Sequence, residues 1–234
     1  MRLPMEMMDR FAFFTALDFT ALALLFVLWL AIGWRIEHPS RQHLSTSVLM
    51  TDYRQAWMQE MVTRQPRVFD AQILSTLRQG TAFFASTCMI ALGATLAMIG
   101  NSEQVAGVAQ DITQANQPAL VWEIKLMAVA LLLTNAFLKF VWSNRLFGYC
   151  AVMMAAVPND IDDPKVAHRA KQAADINIIG ARSFNRGLRS IYFALAAFAW
   201  LAGPIALGIA TLITVVVIWR REFWSNSRKI LLDT

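Results

Sequence analysis

WLAGPIALG, residues 200–208, sets a Gly-Pro pair in the middle of an apolar run that carries no charge from Ile191 to Trp219. Two folds diverge at this pair. If the helix runs through it, 191–219 is one kinked span; if the chain breaks there, a hairpin forms and the tail returns. Length arbitrates between them. The halves 191–202 and 205–219 hold 12 and 15 residues, reaching about 18 and 22 Å at 1.5 Å per residue, short of roughly 30 Å of hydrocarbon. Together the 29 residues reach about 44 Å, enough to cross with Tyr192 and Trp219 as interfacial anchors. The expectation is therefore one span, kinked where Pro204 removes a donor and crowds the carbonyl of Trp200. Gly203, with Ala199, Ala202, Ala206, Gly208 and Ala210 around it, would let a neighbouring helix approach closely.

Working outward, the whole chain is apolar. Of 234 residues 57% are hydrophobic and 16% charged, and the mean hydropathy is +0.45, beyond the range of ordinary soluble domains. Three further stretches, about 11–32, 80–100 and 119–142, are long and apolar enough to span a bilayer. Such segments must satisfy their backbone internally, so they are helices. The reading is an all-α integral membrane protein, a single membrane domain over 1–234, with four transmembrane helices and short helical cytoplasmic connections at 33–79 and 143–190. The first stretch is longer than a signal-peptide core and no small-residue cleavage site follows it, so it reads as a retained span.

Charge gives the orientation. Six arginines fall within 33–79 and seven basic residues within 143–190, whereas 101–118 has neither Lys nor Arg. The positive-inside rule then places both long connections in the cytoplasm and, with four spans, both termini outside. The tail RREFWSNSRKILLDT opposes this, because Arg220, Arg221, Arg228 and Lys229 would lie on the wrong side.

The connections carry helical patterning. In 48–64 the stripe Leu49, Tyr53, Trp57, Met61, with Met58 and Val62 beside it, shares one face, and Asp52, Arg54, Gln55, Gln59 and Glu60 lie opposite. Such a helix serves as the core of a small cytoplasmic layer, or lies on the anionic leaflet. In the second connection Asp163 is the expected N-cap and Pro164 the first helical residue. LRQGTAFFA before the second span and LRSIYFA before the fourth form a faint internal echo.

Polar groups inside spans are costly and mark function or pairing. Asp18 lies seven residues into the first span and Glu123 and Lys125 near the start of the third, at matching depth, which predicts an Asp18–Lys125 pair. Asn135 and Lys139 lie deeper toward the cytoplasmic end. Cys88 and Cys150 lack metal or redox spacing, and His38, His43 and His168 fall outside the apolar segments, which argues against a haem held between spans. No catalytic signature is present, and NDIDDP (159–164) reads as a solvated loop. No cofactor, metal or catalytic residue is expected.

Three stretches, 76–87 (TLRQGTAFFAST), 137–158 (FLKFVWSNRLFGYCAVMMAAVP) and 185–223 (beginning NRGLRSIYFALAAF), together resemble the domain-of-unknown-function 599 family, small multi-pass membrane proteins of bacteria and plants. The resemblance implies a four-helix membrane protein with no agreed activity, and the expected location is the bacterial inner membrane. It also draws attention to Arg78, Arg186 and Arg189 at helix entrances, which set topology or bind lipid headgroups or another anion. Two functions remain open. One is a homo-oligomeric channel or transporter-like protein; the other is an accessory or assembly subunit in a larger membrane complex. An enzyme ranks below both. Expected partners are the lipid bilayer and either copies of the chain or a larger membrane complex, with no nucleic acid.

Overall fold

The computed structural model describes residues 13–40, 42–104, 107 and 118–233. Arg2, Arg10, Arg41 and most of the expected external loop at 101–118 lie outside the described residues. Among the described residues the chain is all α: α1 Ala16–Glu37, α2 Thr46–Met61, α3 Val68–Gly100, α4 Ala119–Ala155, α5 Val166–Phe198, a 3₁₀ turn Ala199–Ala202, α6 Pro204–Phe223 and α7 Asn226–Leu232. Four segments among the described residues are long and apolar enough to cross a membrane: α1, α3, α4 and Pro204–Leu232.

Local chemistry fixes the helix ends. Thr15 and Asp18 form a capping box at the start of α1, with Asp18 Oδ2 accepting from the Thr15 backbone N–H at 3.0 Å and its hydroxyl at 2.7 Å. Ser45 closes α1 onto α2. Its hydroxyl donates to the Ile36 carbonyl at 2.8 Å while accepting from the Val48 N–H at 3.3 Å, so one side chain serves a helix end and a helix start. At α5 the expected cap is displaced. Asp163 accepts from the Lys165 N–H at 2.8 Å, holding a turn ahead of a helix that begins at Val166.

The scaffold is the antiparallel pair α4 and α5, the most extensive helix contact in the chain. Glycines set its closeness. A Cβ at Gly187 would fall 2.8 Å from the Phe140 ring and one at Gly180 would fall 3.0 Å from the Phe147 ring. Both glycines and both rings are seven apart, two helical turns, so the rings seat into the same glycine face. Ser143 donates to the Gly180 carbonyl at 2.7 Å and Ser183 to the Lys139 carbonyl at 2.9 Å. In this register the end of α5 runs beside the apolar first half of α4, and Phe193, Ala197 and Trp200 are buried with Val129 and Leu132.

The Gly-Pro pair does not kink a continuing helix. Gly203 has φ +119° and ψ 168°, a conformation open essentially to glycine, and Pro204 is the first residue of α6, where its missing N–H costs nothing. The Trp200 carbonyl, expected to need a neighbour or water, accepts from the Gly203 N–H at 2.9 Å. The chain then reverses: α6 packs back along α5 and against α1. Arg221 Nη1 reaches the Tyr192 hydroxyl at 2.6 Å. The single kinked span over 191–219 is thus replaced by a hairpin. The length argument failed because it ended the second arm at the first charge. The helix continues through Arg220 and Arg221 to Phe223, and 20 residues reach about 30 Å.

The reversal also relocates the tail. Thr46 Oγ1 donates to the Glu222 carbonyl at 3.1 Å, and Arg228 Nε donates to the Leu44 carbonyl at 2.8 Å. The basic tail therefore sits at the same end of the bundle as the basic connections, opposite to the end expected for it. In α2 the expected face holds except at Tyr53: Leu49, Met58 and Met61 are buried with Val62 just beyond, Trp57 packs against them and donates its Nε1 to Asp70 at 2.7 Å, and Arg54 from the opposite face joins them. Tyr53 is exposed, and Arg54 turns inward because Asn177 of α5 offers it a carbonyl partner.

Candidate functional site

Where α1, α4 and α5 meet at the basic end, Glu37 closes α1 against two arginines of α5. Arg186 donates its Nε to Glu37 Oε1 at 2.8 Å and its Nη2 to Oε2, a two-bond fork. Arg189, three residues on and on the same helix face, donates Nη2 to Oε1 at 2.5 Å. Forked arginine–carboxylate bonds are among the strong polar contacts. Arg189 is only 6% exposed, and Glu37 in contact, with Glu222 at longer range, keeps its charge from being stranded.

One carboxylate facing two guanidiniums leaves positive charge in excess, and Lys139 of α4 adds to it. Lys139 lines the same cleft of about 380 Å³, together with Trp29, Leu30, Gly33, Trp34, Asn135 and Ser190. Among the described residues Lys139 has no ion-pair partner. Ser190 donates to Asn135 Oδ1 at 3.1 Å, which continues the polar lining inward along α4. A cleft of this size lies within the range of small-ligand sites, about 300–1,000 Å³.

Behind the ion pair lies a second cavity of about 300 Å³, between α2, α5 and α6. Its wall includes Ser47, Arg54, Asn185, Arg189 and Glu222. Glu222 accepts from the Ser47 N–H at 3.0 Å and the Ser47 hydroxyl at 2.8 Å, placing a carboxylate at the N-terminus of α2, where the helix dipole favours it. Arg54 donates to Asn177 Oδ1, and burial pulls its guanidinium below the ordinary arginine pKa. Glu37 and Arg189 line both cavities. Their ion pair is the partition between them.

Of the residues singled out from sequence, Asn135, Lys139, Arg186 and Arg189 converge on this cleft. The others do not. Arg78 is exposed beside a separate, mostly apolar cavity of about 470 Å³ between α3 and α4. Asp18 and Lys125 lie near the opposite end of the bundle, both buried and each within electrostatic reach of the other, but not in ion-pair contact. The Asp18 carboxylate instead accepts from Trp200 Nε1 at 2.8 Å and from Thr15, and Lys125 Nζ lies 4.9 Å from the Trp122 ring centroid, a cation–π distance. Glu123 accepts from the Ser102 hydroxyl at 2.7 Å, pinning the end of α3 to the start of α4. Gly203 and Pro204 form the hairpin tip, remote from the basic end.

Sequence reading missed Glu37, Trp200, Glu222 and Ser47. Glu37 had a usable signal, since it is the first acid in a basic connection and lies just beyond the end of an apolar span. Trp200 and Glu222 had none, because their partners depend on the reversal at Gly203. Among the described residues no three His, Cys, Asp or Glu side chains group to hold a metal ion. What the cleft offers chemically is fixed cationic donors beside an indole-lined wall.

No curated protein and no solved structure matches the chain. A family model described as a protein of unknown function, DUF599, matches residues 20–227, from the first turns of α1 into α7, the stretch that includes both arms of the hairpin and every residue of the basic cleft. The chain belongs to the DUF599 family.

Proposed function

We propose that the chain is a multi-pass protein of a bacterial inner membrane with its basic end in the cytoplasm, acting as a non-catalytic accessory or assembly subunit of a larger membrane complex. The observation that carries this reading is the outer face of α3. That helix packs chiefly against α4, and the small residues Ser86, Gly93, Ala97 and Gly100 are exposed on it at spacings of seven, four and three. A Cβ at Gly93 or Gly100 would meet nothing within 4 Å. In a bilayer, small residues on one face let a second helix approach to backbone distance, the main source of helix association there. The bundle interior supports docking over conduction through a single copy. Leu25, Val129, Leu132, Phe193 and Leu207, each no more than 1% exposed, fill the space between Asp18 at one end and Glu37 at the other. In this placement α1, α3, α4 and α6 cross the bilayer and the end of α5 crosses among them.

A second reading, a homo-oligomeric channel or transporter-like protein, is favoured by the two cavities that meet at the Glu37–Arg189 pair. Copy-number analysis of the complex extracted in mild detergent separates the two. A single copy held with other chains supports the accessory role. A closed ring of identical copies that conducts ions or moves a solute when reconstituted overturns it.

A further inference from the structure

We propose that the cleft between α1, α4 and α5 is a binding site for an anionic phospholipid, whose phosphate sits against Lys139, Arg186 and Arg189 while an acyl chain lies along Leu30 and Trp34. The inference rests on the membrane placement proposed above, and is independent of whether the protein is an accessory subunit or a channel.

Charge is the first support. Three cations and one carboxylate line the cleft, and Glu37 is already shared between Arg186 and Arg189. A phosphate diester brings the missing negative charge. Its unesterified oxygens suit the planar guanidinium donors, with the Lys139 ammonium as a further point charge.

Depth is the second. From Asp18 to Glu37, α1 rises about 28 Å, close to the thickness of the hydrocarbon core, which sets Glu37 near the headgroup boundary. Lys139 lies four residues beyond Asn135 on the same face of α4, about 6 Å closer to that boundary. The cleft thus runs from headgroup level inward as a polar ladder of Arg186, Arg189, Lys139, Ser190 and Asn135. Bare in hydrocarbon, such a ladder is costly; a lipid phosphate with its glycerol satisfies it.

The wall is the third. Leu30 is 62% and Trp34 64% exposed on α1, and Leu138 is exposed beside Lys139 on α4. A free inorganic anion has no use for these apolar surfaces. An acyl chain covers them, and indoles favour the headgroup region.

The test uses full-length protein in a neutral detergent, titrated separately with phosphatidylglycerol, phosphatidylcholine and inorganic phosphate, with bound ligand counted by native mass spectrometry. Wild type should retain phosphatidylglycerol more strongly than phosphatidylcholine. Lys139→Gln should cut that preference about fivefold, and Lys139→Gln/Arg186→Gln further by a similar factor, since a cation at the membrane surface contributes about that much to anionic-lipid binding. Arg145 lies on α4 outside the cleft, hydrogen-bonded to Tyr149, and Arg145→Gln should leave the preference unchanged. Lys139→Gln keeps the experiment decisive if the double variant fails to fold, because the Glu37 contacts do not involve Lys139. Equal retention of the two lipids overturns the site, and so does a preference that Lys139→Gln does not alter. If inorganic phosphate alone binds at the cleft and displaces phosphatidylglycerol, the lipid assignment is wrong and the site takes a soluble anion. Release of the protein from membranes by alkaline extraction would defeat the membrane placement itself, a result distinct from any of these.

Discussion

The guanidinium of Arg221 donates to the hydroxyl of Tyr192 at 2.6 Å, across 29 positions of chain that would separate the two by about 44 Å in a continuous helix. That bond exists only because the chain reverses at Gly203, and it carries the tail back to the basic end. Placement of the tail is therefore the most direct test of the hairpin. With Cys88 and Cys150 replaced by alanine, single cysteines at Gln55 and Ser227 should react with an impermeant thiol reagent from the same side of the membrane. Labelling of the two from opposite sides would restore the single kinked span.

The reversal itself depends on one backbone conformation. At φ +119° Gly203 is in a region that side chains resist, although a Cβ there would meet nothing within 4 Å. Gly203→Ala should thus destabilise through backbone strain alone, by about 1–3 kcal/mol. Pro204→Ala should cost under about 1 kcal/mol, because Pro204 is the first residue of α6 and no helix bond is at stake. Thermal unfolding in detergent reads both. Equal losses would mean that the turn tolerates a side chain and that its geometry is not what makes glycine necessary.

Much of the architecture was legible in the sequence, for a physical reason. Long, predominantly apolar runs stand out even with an occasional charge such as Asp18 or Lys125 inside them, so the positions of α1, the second half of α3 and the first half of α4 followed from hydropathy. The arms of the hairpin did not follow, because a central helix behaves differently. The end of α5 is covered by α1, α4 and α6, so it needs neither the length nor the uniform apolarity of a lipid-facing span. The tail charges were the accurate signal, and they conflicted with a length rule applied to a helix cut short at Arg220. The site divides in the same way. Arg186 and Arg189 were visible as a basic pair three apart, and Lys139 as a charge in an apolar run. The carboxylate shared by the two arginines, Glu37, comes from a helix about 150 residues earlier, and no local pattern encodes that meeting.

Asp18 was expected to pair with Lys125, and the closer partner is Trp200. A hydrogen bond to a charged group contributes about 1.5–3 kcal/mol, so Trp200→Phe should destabilise by an amount in that range, and little of it should remain in an Asp18→Ala background, which has no acceptor. The coupling of Asp18 with Lys125, measured with Lys125→Met, should be the smaller of the two, since the pair is not in contact. Double-mutant cycles on thermal or denaturant unfolding give both values. A larger Asp18–Lys125 coupling would show that the long-range charge term outweighs the indole bond.

The α4–α5 scaffold sets how closely the cleft walls approach, and Gly187 sets the scaffold. A Cβ at 187 would lie 2.8 Å from two atoms of the Phe140 ring, closer than carbon atoms pack, and Phe140 is fully buried with Phe84 stacked on it and Phe184 edge-on, each at a centroid distance of 5.4 Å. The ring therefore has no free direction in which to retreat. Gly187→Ala should cost about 1–3 kcal/mol, the usual range for overpacking a filled core. Gly180→Ala, whose Cβ would be 3.0 Å from the Phe147 ring, should cost less. Phe140→Leu alone should be destabilising because it leaves space behind, yet it should be tolerated better in the Gly187→Ala background, where the added methyl occupies part of that space. Only a non-additive pair satisfies the geometry. If Gly187→Ala and Phe140→Leu add independently, the ring moves away from α5 at small cost, and the two helices are held together by the Ser143 and Ser183 bonds instead.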